Sequence, residues 1–198
     1  MTRRQFLDCG LLLLCLCLAA PASAAASPEQ FVTGFLDRAF GVFQSSATDR
    51  ERELRLRTLF ADNMDVPAIA HWTADDYLAE VAPALQQRFR DLLVDYLVRA
   101  YYGKIEQAAG APFDTRLEPP LDDGTQVVTT VIHKPGFWPV RIGWHLRPAQ
   151  GSFRIVDVIR AGTSLVTTQR AVFFSVMRDG GLPHLVARLE AHTASASP

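Results

Sequence analysis

The stretch DVIRAGTSLVTTQR, Asp157 to Arg170, carries a serine where a strand-like segment meets a helix-like one. A hydrolase nucleophile occupies such a turn in the pattern Gly-x-Ser-x-Gly, whose second glycine lets the tight turn close. Here the order is Gly162-Thr163-Ser164-Leu165-Val166, and the Val166 side chain would crowd the turn. An acyl-transfer serine also needs a histidine base. The five histidines (His71, His133, His145, His184, His192) are scattered, and none stands in a suggestive motif. The plainer reading is a turn and a cap. Gly162 lets the chain leave the strand, and Thr163 or Ser164 accepts hydrogen bonds from the free N–H groups of the next helix, worth about 1 kcal/mol.

Other groups able to do chemistry have equally plain roles. His133 and His145 fall on neighbouring expected strands. A turn centred near Gly136 to Trp138 pairs His133 with about position 141, so His145 lies further up the hairpin and no shared metal is expected. Arg88, Asp91, Asp95 and Arg99 recur three and four residues apart. Paired carboxylates can do acid–base work, but opposite charges at this spacing form a solvated row worth a few tenths of a kcal/mol. Asp75-Asp76 suits the start of a helix, where acidic groups complement the dipole. No catalytic residue, metal ligand or cofactor site is expected.

The three cysteines, Cys9, Cys15 and Cys17, all lie near the N-terminus in what reads as a leader. Arg3-Arg4 precedes an apolar run from Leu11 to Ala20, and Pro21-Ala22-Ser23-Ala24 supplies the small residues of a cleavage site. The run is short for a membrane span, which needs about 20 apolar residues. Residues 1–24 are therefore expected to be a signal peptide cleaved near Ala24, and 25–198 a single domain. Thr2-Arg3-Arg4-Gln5-Phe6-Leu7 resembles a twin-arginine export motif, with Asp8 where lysine is usual. The exported chain has no cysteine, so neither disulfides nor thiolate chemistry are open to it. A packed core must hold it together. The net charge of −1 and the lack of a basic stripe argue against nucleic acid as a partner.

The elements that must position these residues follow from periodicity. Ser27-Pro28-Glu29-Gln30 is a capping box opening a helix, and Thr48-Asp49-Arg50-Glu51 repeats the signal. A long helix is expected over about Ala74 to Tyr102, with Leu85, Phe89, Leu92, Leu93, Tyr96, Leu97 and Ala100 on its buried stripe. Thr125 to His133 alternates as a strand. After a Pro-Gly turn and Phe137-Trp138-Pro139, the residues Val140, Ile142, Trp144 and Leu146 face one way. Phe153, Ile155, Asp157 and Ile159 share a face of the next strand, after a turn at Gly151-Ser152. Two helices, roughly Ser164 to Arg178 and Pro183 to His192, close the chain. Short connections imply antiparallel pairing. The expected class is α+β, a curved antiparallel sheet covered on one face by N-terminal helices and two C-terminal helices.

Residues Phe153 to His192 resemble the C-terminal signature of the MlaC (toluene-tolerance) family, periplasmic auxiliaries of a lipid-transporting ABC system. The family's D-V-x-x-x-G-x-S step stands here as Asp157-Val158-Ile159-Arg160-Ala161-Gly162-Thr163-Ser164. Its Thr/Gln/Arg-rich helix with an aromatic second half stands as Thr167-Thr168-Gln169-Arg170 and Phe173-Phe174. Its final helix stands as Gly181-Leu182 with Leu185 and Leu189. The run QQRFRDLLVDYLVRAYYGKI is similar to the family's long helix, whereas AIAHWTADDYLAEVAPALQQRF departs from the usual lead-in to it.

The resemblance implies an NTF2-like cone whose mouth holds a ligand. It implies carriage of phospholipid, or of a hopanoid in one branch of the family, between an outer-membrane lipoprotein complex and an inner-membrane ABC transporter. The tails would lie between the sheet face of Val140, Ile142 and Trp144 and the helix carrying Phe89, Leu93 and Leu97. Two rival classes remain. NTF2-like cones also host enzymes, and Asp157, on the strand face of Phe153 and Ile155, would be the acid–base group. A ligand-free adaptor would have no cavity.

Overall fold

The structure, a computed structural model, describes residues 26–194; the expected leader lies outside them. Helix α1 (Pro28–Gly41) ends in a single 3-10 turn and is followed by α2 (Asp49–Asn63), α3 (Val66–Ala74), the short α4 (Asp76–Ala79) and α5 (Pro83–Ala108). Strands β1 (Phe113–Glu118), β2 (Gln126–Ile132), β3 (Val140–Ala149), β4 (Ser152–Arg160) and β5 (Thr163–Ser164) come next, then α6 (Leu165–Met177) and α7 (Gly181–Ala194). The strands form one antiparallel meander in the order β1-β2-β3-β4-β5. This is the expected α+β class.

Both N-terminal capping boxes are made. Ser27 and Gln30 reciprocate at α1, and Thr48 and Glu51 at α2. The expected helix over 74–102 is instead three elements. Asp75 takes φ +48°, closing α3, and Ala82 is extended before Pro83, the first residue of α5. A residue before proline is pushed out of the helical region, and proline tolerates only the first turn. At its far end α5 continues to Ala108, two turns past the expected stop, because nothing at Tyr101-Tyr102-Gly103 breaks the ladder. Strand β1 is an element that the sequence pattern did not reveal. Its side chains alternate between half-buried and exposed from Phe113 to Arg116, and three charges, Asp114, Arg116 and Glu118, share one face.

The inner face of the sheet carries Val128, Thr130 and Ile132 on β2 opposite Trp144, Ile142 and Val140 on β3. Helix α1 lies against this face. Phe35 meets Trp144 edge-on at 5.5 Å, Phe40 meets Phe113 at 5.8 Å, and Phe31 meets Phe153 at 6.0 Å. Such edge-on and tilted pairs suit the ring quadrupoles. Trp144 Nε1 donates to Thr130 Oγ1 at 2.9 Å, which satisfies two polar groups inside the core. On the far side α5 packs with α2, α3, α6 and α7, and the ring of Phe89 meets Phe173 at 6.0 Å.

Two turns and one bulge set the strand registers. The β3–β4 turn is Gln150-Gly151 (φ +45° and +76°) and the β4–β5 turn is Ala161-Gly162 (φ +51° and +76°). Paired positive φ values are the hairpin geometry whose twist matches a right-twisted sheet. The first turn is thus one residue earlier than the expected Gly151-Ser152. Between His145 and Leu146 the register with β4 shifts, so Leu146 pairs with Ile155 and His145 with Asp157, leaving Val156 over. This bulge reverses the alternation. Phe153, Ile155 and Val158 belong with the core, while Asp157 and Ile159 lie on the opposite face beside His145 and Gly143. The expectation that Phe153, Ile155, Asp157 and Ile159 share one face is corrected here. One extra residue moves everything after it to the other side.

Candidate functional site

The expected chemical groups have structural partners. Ser164 is the N-cap of α6: its Oγ accepts from Thr167 N at 3.0 Å and donates to Asp157 Oδ2 at 2.6 Å. Asp157 Oδ1 accepts from Val158 N at 2.8 Å and from Val166 N at 3.1 Å. One carboxylate therefore ties the end of β4 to the first turn of α6, where the helix dipole favours negative charge. Asp157 is not on the face of Phe153 and Ile155, and both of its oxygens hold the chain in place.

The other candidates separate in the same way. Ile132 pairs with Val140, which centres the β2–β3 turn on Gly136 and shifts His133 by two residues from its expected register. His145 lies across from Val127, six residues back along β2 from His133, about 20 Å away. His133 Nε2 instead meets Asp114 Oδ2 at 2.9 Å on the surface. Among the described residues no cluster of His, Cys, Asp or Glu is placed to hold a metal. The charged row on α5 does not pair within the helix. Arg57 Nε on α2 donates to Asp95 Oδ1 at 2.6 Å, and Arg88 Nη2 meets Glu190 Oε1 on α7 at 2.7 Å. These charges tie neighbouring helices to α5. Asp75 Oδ2 accepts from Arg170 Nη2 at 2.6 Å, tying α3 to α6, and that guanidinium holds the Asp75 carboxyl below its usual range.

The six residues expected to touch lipid fall into two depths. Phe89, Leu93, Leu97 and Trp144 are fully buried members of one apolar core. Val140 and Ile142 are half-buried, where β3 enters the sheet. Val140, Ile142 and Trp144 do share the inner face, and Phe89, Leu93 and Leu97 share the buried stripe of α5. They do not all face each other. Phe89 turns to α6, and Phe35 of α1 stands against Trp144.

Apolar side chains that are only half covered gather near one end of the molecule. The C-terminal turns of α5 supply Tyr101 and Ile105, β1 supplies Phe113, and the inner sheet face supplies Ile142 and Val158. Burial pushes the Tyr101 phenol up. The spacing Leu97, Tyr101, Ile105 continues the buried stripe four residues at a time. That signal was present in the sequence beyond the expected helix end. Two surface clefts lie elsewhere. One of about 440 Å³ runs between α1 and α2 past Arg38, Arg55 and Asn63. The other, about 280 Å³, sits at the β3–β4 turn by Phe31 and Arg154.

A curved antiparallel meander filled by helices defines an NTF2-like fold. A solved structure with the same architecture is that of the phospholipid-binding protein from Ralstonia solanacearum, in complex with a phospholipid. It matches with a TM-score of 0.72 at 18% identity, over 86% of this chain and 98% of that one. The sequence profile described as MlaC protein matches residues 35–191. The chain belongs to the MlaC family.

Proposed function

We propose that this protein is a periplasmic carrier of phospholipid. It would take up acyl chains between α5 and the inner face of the sheet, then pass lipid between an outer-membrane lipoprotein complex and an inner-membrane ABC transporter. Membership of the MlaC family supports this reading, as does a phospholipid-bound protein of the same fold. The observation that carries it is the band of half-covered apolar side chains, Tyr101, Ile105, Phe113, Ile142 and Val158, continuous with the core. The leader-like segment at residues 1–24 supplies the export the role requires.

The energetics favour a hidden passenger. A diacyl lipid has about 30 methylenes, and at about 0.8 kcal/mol each its exposure to water is prohibitive at roughly 24 kcal/mol. Parting the C-terminal half of α5 from the sheet would expose the apolar band, and acyl chains would cover it again. The net demand on the fold is then small, because one apolar contact replaces another. Val140 and Ile142 would form the mouth. Trp144, Leu97, Leu93 and Phe89 would line successively deeper positions.

The test is loading of a fluorescent phospholipid from vesicles into the chain freed of its leader, comparing the native protein with Ile142→Trp. The larger ring fills the mouth, and loading should fall severalfold; overpacking costs about 1–3 kcal/mol, so the melting temperature is followed alongside to show that the variant stays folded in the assay. Equal loading in both would place the passenger elsewhere.

A further inference from the structure

The β2–β3 hairpin ends in a tip that the carrier reading does not use. Between Ile132 and Val140 the chain reads His133-Lys134-Pro135-Gly136-Phe137-Trp138-Pro139. Phe137 is 67% exposed and Trp138 92%. Large apolar side chains exposed singly are ordinary. Two adjacent aromatic rings at the end of a hairpin are not scattered exposure.

The tip is held rather than loose. Gly136 takes φ +79°, Phe137 N donates to Lys134 O at 3.1 Å, and prolines flank the turn at 135 and 139. Lys134 Nζ stands 4.6 Å over the Phe137 ring. At the base, His133 N donates to Pro112 O at 2.9 Å, and His133 Nε2 meets Asp114. The aromatic pair is thus presented on a short, braced projection.

The end of the molecule that carries this tip gathers several cations around it. Pro112 joins the tip's base to the segment following α5, whose last turns carry Lys104 over the Tyr101 ring at 4.6 Å. Lys104 and Lys134 are the only lysines in the chain, and both stand here. Arg141 follows the tip, and Arg160 pairs across the sheet with Ile142. Against these cations stand Asp114, engaged by His133, Glu106 on α5, Glu118, whose carboxyl feels Arg141, and Asp157, whose oxygens are taken up by the start of α6. The half-covered apolar band lies at the same end.

We propose that the hairpin tip is a membrane-interface anchor, seating Phe137 and Trp138 among phospholipid headgroups with Lys134 against their phosphates. Tryptophan favours this layer because its ring is apolar and its N–H polar, and lysine keeps its charge at the headgroups while its stem lies along apolar surface. Anionic lipid adds attraction for the surrounding cations. A bilayer suits the tip better than a folded partner does. Two rings and one cation make a small footprint, whereas a specific protein interface buries about 1,000 Å² or more. Docked in this way, the tip would hold the apolar band towards the bilayer. The anchor requires no passenger inside the fold.

The test is flotation of the leader-free chain with phosphatidylcholine vesicles, with and without phosphatidylglycerol, using native protein, Trp138→Ala, Phe137→Ala and Lys134→Gln. The native chain should float, and Trp138→Ala should partition about tenfold more weakly with an unchanged melting temperature. Lys134→Gln should float with phosphatidylcholine vesicles much as the native chain does and lose about fivefold of the extra affinity that phosphatidylglycerol confers. Vesicles of brominated lipid should quench native tryptophan emission and leave the Trp138→Ala emission, from Trp72 and Trp144, unaltered. A native chain that stays in the bottom fraction overturns the anchor, as does Trp138→Ala floating like the native chain. Phospholipid extracted from the same Trp138→Ala preparation reports on the carrier reading separately, so failure of one is distinguishable from failure of the other.

Discussion

Replacing Asp157 by alanine should destabilise the fold without bearing on any chemistry. The carboxylate accepts from Val158 N at 2.8 Å, Val166 N at 3.1 Å and Ser164 Oγ at 2.6 Å. Hydrogen bonds to a charged group contribute about 1.5–3 kcal/mol each, and an orphaned buried donor costs about 1–3 kcal/mol. The site is partly buried, so water would recover some of the loss. We expect Asp157→Ala to lower unfolding stability by about 3–4 kcal/mol. At about 2–4 °C per kcal/mol for a chain of this size, the melting temperature should fall by roughly 6–16 °C. Asp157→Asn keeps one acceptor oxygen and should lose about half as much. Urea denaturation followed by circular dichroism measures both, with the native sequence as reference. Stability unchanged within about 0.5 kcal/mol would refute the clasp. A variant that keeps its stability but loses a chemical activity would revive the enzyme reading.

Thr130→Val should cost about 1–3 kcal/mol in the same assay, because the substitution preserves shape and orphans the Trp144 indole N–H; an unchanged midpoint would mean that the indole finds another acceptor. The Asp75–Arg170 tie has a pH signature. The Arg170 guanidinium depresses the folded pKa of Asp75, so the tie contributes stability that is present above the ordinary carboxylate value of about 3.9 and is lost as pH falls through the depressed one. Asp75→Asn should therefore be less stable than the native chain at pH 7, with the gap closing below about pH 4. A gap that stays constant across that range would remove the ionic explanation.

Where local rules settle the outcome, the sequence already carries it. Ser27 with Gln30, Thr48 with Glu51, and Ser164 cap their helices with their own side chains. The β2 and β3 patterns show which residues face inward because their alternation is unbroken as far as Leu146. The bulge at Val156 has no such local signature. Val156 and its neighbours are all compatible with a regular strand, and only pairing with β3 forces one residue out. The assignment of Asp157 to the wrong face follows from that single residue. Strand β1 has no clear sequence signal because charged residues alternate through it at a sheet edge, where neither face need be strongly apolar. Pro83 is a local signal for the break: the extended Ala82 before it is what the pyrrolidine ring demands.

The candidate site was legible as two apolar faces and not as a geometry. Periodicity identifies Phe89, Leu93 and Leu97 as one stripe and Val140, Ile142 and Trp144 as another. It does not say that α1 stands between parts of them, since Phe35 and Trp144 are 109 positions apart and only the tertiary fold joins them. The exposed Phe137 and Trp138 show the converse. Their types are plain in the sequence, but exposure is a property of the folded hairpin.

The most direct measurement of the central claim is the lipid content of the protein itself. The leader-free chain would be purified from the periplasm without detergent and extracted with organic solvent, and the extract analysed by lipid mass spectrometry against a mock purification. The carrier account predicts phospholipid in stoichiometric amount, reduced in Ile142→Trp. A native protein that yields no lipid, and remains empty after incubation with labelled vesicles, would contradict it.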